Sequence, residues 1–464
     1  MKYNRFLLAT AMLMATATVT AQELNSAYFT QDYKFRHDMN PAYGNEQNYI
    51  SIPVLGNLGV KMQGNFGVGD LLFQNPATGK YNRTFMHPSV SVDEALSGFN
   101  SGDNKLMTDI GITLLSAGFK GFGGYNTIEI NSRTSVGVSL PYELFRFAKE
   151  LGNDTYNIGD IDVRAQSFVE LAFGHSRNIN DKLRVGAKVK LLLGAARADV
   201  AMKNVKAEMP AGAQQWLISA QAQANVMMKG FKYETEQKEY KNRPGTYDYV
   251  NNIDIDGAGL GGFGLGVDLG ATYKVMDELT VNAAVTDLGF INWSNNVQAT
   301  NHQTTFTFNG FHDVSVKKER DPKTFDYVTD DYADQLADFA NLQDDGDQGS
   351  VSKALAATVK LGAEYQLPMY KPLSFGLLAQ HRFNGPFSWT EARLSANWTP
   401  LKWLNGGVTA AYNTFGVSTG WVLNIHPKVF NFFIGMDHIL GKQTKEGIPL
   451  SSKASINLGM NVAF

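Results

Sequence analysis

Three glycines in the middle of the chain have the spacing of a nucleotide-binding loop. Gly259, Gly261 and Gly264 form G-x-G-x-x-G, a pattern that binds phosphate groups when it joins a buried strand to a helix. Here the polar stretch IDIDGA precedes the glycines, and an alternating strand follows them instead of a helix. We therefore interpret the glycines as positions of curvature or close packing in a strand.

Acidic residues suggest cation binding at two places, but neither pattern is complete. Asp254 and Asp256 precede Gly257 as in a calcium loop, yet the third ligand position and the glutamate six residues after the glycine are missing. Residues 313–347 are rich in aspartate. We expect this stretch to be a solvated outer loop, and cation-mediated binding of lipopolysaccharide or of a protein partner is the alternative. The sequence predicts no metal site.

Local catalytic motifs are absent from the sequence. The eight histidines show no His-x-Glu or His-Glu-x-x-His spacing, no serine lies in a G-x-S-x-G motif, and the chain has no cysteine. A triad assembled from different strands stays open, with His381 and His438 as candidates, although a structural role is favoured for both. We predict a protein that is not an enzyme, with no catalytic residues and no cofactor.

The elements that carry these residues alternate with a period of two. In the last ten residues, SINLGMNVAF, every second side chain from Ile456 to Phe464 is apolar, and those between are polar or small. Such alternation places one face of a strand against an apolar environment and the other against a polar one. The pattern recurs at about the length that crosses a bilayer. It predicts fourteen strands: 49–66, 107–119, 126–140, 165–177, 182–199, 263–275, 278–290, 354–367, 373–384, 389–399, 404–413, 416–426, 429–440 and 453–464.

The connections between these strands favour a closed transmembrane barrel. From residue 107 onward, tight turns largely alternate with long connections, as in outer-membrane barrels with short periplasmic turns and long extracellular loops. Opposite charges on the polar faces, as at Glu129 with Arg133 and at Glu391 with Arg393, suit a wet lumen. A soluble all-β protein is the alternative, but strands of this length exceed the usual ~5–6 residues.

A sheet that spans hydrocarbon must close, because unpaired backbone amides are costly there. We therefore predict an all-β fold: a transmembrane antiparallel β-barrel of about 14 strands over residues 49–464, with long extracellular loops that carry short helices. Such a fold has the lipid bilayer and lipopolysaccharide as partners, and its localisation is the cell outer membrane.

The N-terminus and the composition agree with export. Lys2 and Arg5 precede a short apolar stretch, and small residues end at Ala21, which predicts a signal peptide over residues 1–21. No later apolar run is long enough to predict a membrane-spanning helix. The net charge of −3 and the lack of a basic stripe argue against nucleic acid as a partner. A terminal aromatic residue such as Phe464 resembles the signal that outer-membrane proteins present to their insertion machinery.

One apolar helix is the candidate for ligand binding. Between Pro141 and Gly152, apolar residues recur at helical spacing. A helix that only covers the barrel mouth is the favoured interpretation. The alternative is capture of a hydrophobic ligand, because an apolar patch in an outer loop needs a reason. The candidate ligand-binding residues are Leu144, Phe145, Phe147 and Leu151.

Three stretches carry a resemblance to a known family. MNPAY (39–43) is followed by YISIPVLGNLGVKMQGNFGVGDLLF, and SLPYELFRFAKELGN (139–153) and DLGFINW (287–293) come later. Together they resemble an uncharacterised family of outer-membrane β-barrels from Bacteroidota, related in architecture to FadL and PorV proteins. The resemblance implies a single-chain barrel with an N-terminal segment that can enter the lumen. FadL-like relatives pass hydrophobic molecules through a side opening, and PorV-like relatives act in a secretion and surface-attachment system.

From this resemblance the leading expectation is a FadL-like conduit for small hydrophobic molecules. Residues 22–48 would form a plug anchored by Asn40, Pro41 and Ala42, and strand 49–66, interrupted by glycines and a proline, would create a lateral gap. The alternative is a non-transporting, PorV-like scaffold for a surface or secretion complex, with partners bound through loops 200–262 and 291–353. A porin is the third possibility.

Overall fold

Alternating side chains give each strand of this chain an apolar and a polar face. The computed structural model describes residues 23–464 except 46, 151, 153, 214, 241–242, 258, 311–324 and 440–449. The predicted signal peptide lies outside the described residues. The described part of the chain forms 24 strands: β1 (Tyr49–Ser51), β2 (Leu58–Gly64), β3 (Leu72–Gln74), β4 (Tyr81–Thr84), β5 (Asp103–Gly121), β6 (Gly124–Pro141), β7 (Thr155–Asn178), β8 (Leu183–Glu208), β9 (Trp216–Met228), β10 (Phe231–Tyr240), β11 (Arg243–Ile255), β12 (Gly262–Lys274), β13 (Leu279–Trp293), β14 (Val297–Thr300), β15 (Thr305–Phe308), β16 (Gln343–Asp347), β17 (Val351–Ala354), β18 (Thr358–Gln366), β19 (Leu373–Arg382), β20 (Trp389–Leu401), β21 (Leu404–Asn413), β22 (Gly416–Ile425), β23 (Phe430–Met436) and β24 (Ala454–Ala463).

Helices are few and short by comparison. The α-helices of the described residues are α1 (Arg36–Met39), α2 (Val68–Leu71), α3 (Val92–Leu96), α4 (Tyr142–Glu150) and α5 (Phe325–Ala340). Two single 3₁₀ turns cover Asn25–Ala27 and Gly385–Phe387. None of the described helices is long and apolar enough to cross a membrane.

The wall of the barrel is a closed ring of antiparallel strands that has fourteen strand positions. β24 pairs with β1 and β2, and these two strands pair in turn with β5 on their other side. The ring continues through β6, β7, β8, β12, β13, β18 and β19 to β23, which returns to β24. β1 and β2 share the first position, and β17 and β18 share the eighth. The predicted 14-stranded antiparallel barrel is confirmed.

Burial in this barrel is the reverse of that in a soluble protein. On the outer face, Leu394 and Val408 are 62% and 63% exposed, whereas the inward-facing Lys360 and Arg393 are almost completely buried. The last strand follows the predicted alternation, with Val462 and Phe464 exposed and Asn457 and Asn461 buried. A closed sheet with an apolar exterior and a polar interior has the architecture of outer-membrane barrels.

The two ends of the barrel differ in the length of their connections. The short-turn end carries the connections 122–123, 179–182, 275–278, 367–372, 402–403 and 426–429, and both the start of β1 and the end of β24 lie there. The long-loop end carries the connections 65–102, 142–154, 209–261, 294–350, 383–388, 414–415 and 437–453. This asymmetry is the one predicted from the sequence.

Several strands differ from their predicted bounds. β7 and β8 extend beyond the predicted strands because the outer half of β8 pairs with β9. β9 in turn pairs with β14 and β15, and β16 links β14 to β11, so two predicted long loops form an outer sheet. The acidic stretch 313–347 is also more than a loop in its described part, which contains α5 and β16.

The predicted first strand, 49–66, is broken into β1 and β2. Residues 52–57 interrupt the regular strand pairing between them, and Pro53, Val54 and Leu55 are exposed. Proline lacks the amide hydrogen that a central strand donates, which favours an interruption here.

An arginine on the outer face tests whether hydrocarbon surrounds the barrel. Leu394 lies mid-strand, opposite Leu377 of the neighbouring strand. We expect Leu394→Arg to lower the free energy of unfolding in lipid vesicles by ~2–4 kcal/mol, because a cation at the bilayer midplane loses its hydration.

The matched control is Met369→Arg. Met369 lies in the 367–372 turn and is 88% exposed, so its substitution leaves the unfolding free energy nearly unchanged. Equal, small effects of the two arginines would show that water, and not lipid, contacts Leu394.

Candidate functional site: the barrel lumen

The N-terminal segment, defined here as residues 23–48, runs through the interior of the barrel. Its side chains Tyr28, Phe29, Tyr33 and Phe35 are at most 2% exposed. They form one apolar cluster with inward-facing side chains of the wall: Tyr49, Tyr125, Leu378, Val422 and Phe433. At this level the polar faces of the strands therefore contact protein, whereas the sequence analysis expected a wet lumen.

Two glycines on neighbouring strands make room for the Asn-Pro-Ala turn. Gly186 on β8 and Gly270 on β12 are directly opposite each other. A Cβ atom at Gly186 would overlap the carbonyl group of Pro41, and one at Gly270 would overlap the side chain of Asn40. The Asn40 side chain accepts a hydrogen bond from the Ala42 amide (2.9 Å), which holds the turn in shape. These are the contacts that an anchor needs, and the anchoring role of Asn40, Pro41 and Ala42 stays a prediction.

Other inward-facing glycines receive the start of the segment in the same way. A Cβ atom at Gly376 would overlap the ring of Phe29, and one at Gly420 would overlap the Ser26 hydroxyl. The Asp437 carboxylate accepts hydrogen bonds from the backbone amides of Asn25 (3.1 Å) and Ser26 (2.7 Å). The segment is thus fitted to the wall both by shape and by hydrogen bonds.

A buried lysine ties the segment to two wall strands. Lys188 Nζ lies 2.6 Å from Asp38 Oδ1 and 2.6 Å from Glu129 Oε2, and it is 3.3 Å from His37 Nδ1. His37 also contacts the Tyr49 hydroxyl through Nε2 at 2.9 Å. His37, Asp38 and Glu129 are the one group of described residues spaced to hold a metal ion. The lysine ammonium occupies the place that a cation would take there.

A second charged cluster lies beside the first. Lys190 Nζ lies 2.7 Å from Asp287 Oδ1 and 2.8 Å from Asp268 Oδ2. Both Nη atoms of Arg133 bind the Asp287 carboxylate, at 2.6 and 2.7 Å. Asp287 begins the DLGFINW stretch and has a positive φ of 60°, at the point where a β-bulge shifts the register of β12 and β13.

The structure corrects one of the two charge pairs read from the strands. Glu391 and Arg393 do form an ion pair (3.0 Å). Glu129 and Arg133, by contrast, bind different partners: Lys188 holds the first, and Asp287 holds the second. Residues four apart on a strand point to the same face but stand too far apart for a short contact. Each therefore finds a partner on a more distant strand across the lumen, Lys188 on β8 and Asp287 on β13.

Above these clusters a cleft opens toward the long-loop end. It has a volume of about 900 Å³, including its mouth, and Glu23, Arg133 and Asp287 lie at its base. Five cationic and three acidic side chains line it, together with the apolar Phe168, Leu355 and Trp389. A second cavity, lined by Phe29, Pro372 and Asn405, lies near the short-turn end.

The helix that was predicted to capture a ligand is packed on both of its sides. Phe145 stacks on Phe99 at 3.8 Å and is buried. Leu144 and Phe147 pack into a different cluster, around Tyr156. Leu151 lies outside the described residues. The structure does not bring these side chains together on one open surface, and their role in ligand binding stays a prediction.

The two candidate histidines, His381 and His438, have different surroundings. His381 Nδ1 contacts the Thr390 hydroxyl at 2.7 Å. The ring of His438 is buried, and neither of its nitrogens has a hydrogen-bond partner among the described residues. No serine contacts either ring in this part of the chain. Gly261 immediately precedes β12, and Gly264 lies within its first residues, so the glycine pattern leads into a strand as the sequence predicts.

A family of known sequence but unknown function covers most of this chain. The model of DUF5723, described as a family of unknown function, matches residues 41–437. The chain belongs to this family. The matched region begins at Pro41, within the turn seated on the paired glycines, and includes the whole DLGFINW stretch. No protein of curated function matches the chain.

Solved structures with similarity to this DUF5723 member include a monoaromatic hydrocarbon channel and two toluene transporters. A deltaS2S3 mutant of the monoaromatic hydrocarbon channel TodX is 10% identical, with a TM-score of 0.44 and 96% of both chains covered. The toluene transporter TbuX of Ralstonia pickettii is 11% identical, with a TM-score of 0.38 and 96% and 95% covered. The toluene transporter TodX of Pseudomonas putida is 9% identical, with a TM-score of 0.40 and 96% and 93% covered. No ligand or mechanism follows from similarity at this level.

Sequence reasoning missed the residues that seat the segment. Gly186 and Gly270 stand at inward positions of strands that are otherwise regular, and Lys188 and Lys190 stand on the same face of β8. A glycine at an inward position of an alternating strand is a usable signal, because it leaves space beside the wall. Which part of the chain fills that space is not encoded locally.

Adding a methyl group at Gly270 tests whether this glycine makes room for the N-terminal segment. We expect Gly270→Ala to weaken the docking of the N-terminal segment by ~1–3 kcal/mol, because the added Cβ overlaps Asn40. Trypsin would then cut the folded barrel faster after Lys34 and Arg36, and mass spectrometry of the fragments measures this rate.

The control is Gly266→Ala on the same strand and face. A Cβ atom there meets Lys190 and Leu355 at ordinary contact distances of 3.6 and 3.7 Å, so cleavage stays at the wild-type rate. Equal cleavage of the two variants would mean that the glycine at 270 does not seat the segment.

Proposed function

We propose that this protein is a channel of the outer membrane that its N-terminal segment closes at rest. The observation that supports this proposal is the position of the segment, which lies between the open cleft and the short-turn end. A closed barrel with an apolar exterior belongs in a bilayer, and a bilayer reached after export by a β-barrel is the outer membrane.

The contacts of the N-terminal segment with the wall allow the segment to move out of the lumen. Its wall-facing anchor points are largely polar: Asp38 with Lys188, and the amides of Asn25 and Ser26 with Asp437. Water can replace such partners when the segment moves, because a buried ion pair gains little over its hydrated ions. The apolar cluster around Phe35 and Phe433 opposes release and sets the resting state closed.

A disulfide between the segment and the wall tests the gate. Ser26 Oγ and Thr409 Oγ1 are 3.0 Å apart, and the chain has no other cysteine to compete. We expect oxidised Ser26→Cys/Thr409→Cys to show no opening in planar bilayers, because the segment is held in place. Reduction restores wild-type openings, and a chain lacking residues 23–45 conducts continuously.

The single variant Ser26→Cys, treated with the same oxidant, controls for effects of the substitution itself and opens like the wild type. The gate is refuted if the truncated chain, shown to be folded, conducts no better than the closed wild type.

A route for hydrophobic molecules has its own support in the interrupted first strand. Val54 has a positive φ of 67°, which is strained for a β-branched residue, and Pro53 and Leu55 beside it are exposed. Backbone hydrogen bonds still join the interruption to both neighbours, from Val54 to Leu114 (3.2 Å) and from Met460 to Leu55 (2.8 Å). The wall is therefore closed here in this conformation, and we propose that it opens to release small hydrophobic molecules sideways into the membrane.

Uptake into vesicles tests this route. We expect liposomes that contain the protein to take up a labelled fatty acid or aromatic compound faster than empty liposomes. Deleting residues 53–56 would join β1 to β2 and remove the excess uptake, because the wall loses its weak point.

Conductance of the deletion variant, made in the chain that lacks residues 23–45, shows whether its barrel is intact. An intact barrel whose uptake is unchanged by the deletion would rule out the sideways route and leave the channel proposal standing.

A further inference from the structure

The rim of the cleft carries more positive charge than its carboxylates neutralise. Arg164 Nε and Arg197 Nε each lie 2.9 Å from a carboxylate oxygen of Asp199. Lys353 Nζ lies 3.6 Å from the same carboxylate. One negative charge is thus shared by three cations. Arg197 is only 6% exposed, so water screens its charge weakly.

Arg382 lines the same cleft as Arg164 and Arg197. The Arg382 guanidinium binds Asp109 through Nη1 (2.9 Å) and Nη2 (3.3 Å). This arrangement leaves Nε of Arg382 buried and without a hydrogen-bond partner among the described residues. A buried donor without an acceptor costs free energy.

The walls of the cleft strengthen the field of these charges. Phe168, Leu355 and Trp389 stand among the cations, and their low polarity reduces screening. Guanidinium groups are planar donors that match the oxygens of carboxylates and phosphates two at a time. A cation would be repelled by this rim, and a neutral solute would leave its charge unbalanced.

From this arrangement we infer that the cleft binds a small oxyanion with at least two negative charges, such as a phosphate group or a compact polycarboxylate. The excess of two positive charges around Asp199 selects a multivalent ion over a monovalent one. The ligand class deepens the proposed function, because the cleft lies on the open side of the gate. Binding itself is an equilibrium property and does not require transport.

Calorimetric titration of the detergent-solubilised full chain tests the site, with inorganic phosphate, glycerol phosphate, citrate and acetate as probes. We expect the multivalent ions to bind and acetate to bind at least about tenfold more weakly, with affinities that fall as salt is added. Tighter binding of glycerol phosphate than of inorganic phosphate identifies an organic phosphate as the ligand, and equal binding identifies the free ion.

Two variants with opposite expected effects locate the site. Arg197→Gln weakens phosphate binding by about tenfold or more, because it removes a charged hydrogen bond. Asp199→Asn tightens phosphate binding, because it removes the one carboxylate that competes with the ligand for three cations. Arg177→Gln, the same change at an exposed residue of the short-turn end, leaves binding unchanged.

Heat-shifted mobility on a gel shows that each variant is a folded barrel. Folded wild type that gives no titration signal with any multivalent probe overturns the inference, as does a folded Asp199→Asn chain that binds phosphate more weakly. Neither result bears on the proposed gate, which the conductance experiments test separately.

Discussion

A backbone amide in a sheet surrounded by hydrocarbon has no water to bind, so every strand needs a neighbour on both sides. In this chain the pairing of β24 with β1 and β2 supplies the last neighbours and closes the ring. Closure in turn directs one face of each strand outward into lipid and the other into a narrow interior. Charged side chains such as Lys188, Lys190 and Arg393 are thereby buried, and a buried charge is tolerated when it is paired and hydrogen-bonded.

The N-terminal segment meets part of this requirement. Asp38 supplies a carboxylate to Lys188, and Glu23 supplies one to the buried Lys360 at 2.8 Å. Its aromatic side chains fill the space that glycines such as Gly376 leave along the wall. A segment with this many specific contacts has a defined resting position, and a defined position is what a two-state gate needs.

Polar and apolar functions occupy different parts of the barrel. Charged side chains line the cavity beside Lys188 and Lys190, and the cleft takes its chemistry from Arg164, Arg197 and Arg382. Apolar surface lies outside, where residues 52–57 interrupt the wall. Under the two proposals, hydrophobic cargo has a physical reason to leave sideways, and an oxyanion has one to stay inside. The apolar side chains of α4 pack into two separate clusters at the long-loop end.

The sequence by itself determined the fold class, the fourteen strand positions and the face that each strand turns to lipid, because a period of two is written into neighbouring residues. The lengths of the connections distinguished the short-turn end of the barrel from the long-loop end. Only the tertiary structure decided that Gly186 stands opposite Gly270, that Arg133 binds Asp287 and not Glu129, and that three cations share Asp199. These partners come from strands far apart in the chain, and their meeting depends on register and barrel closure, which no local pattern specifies.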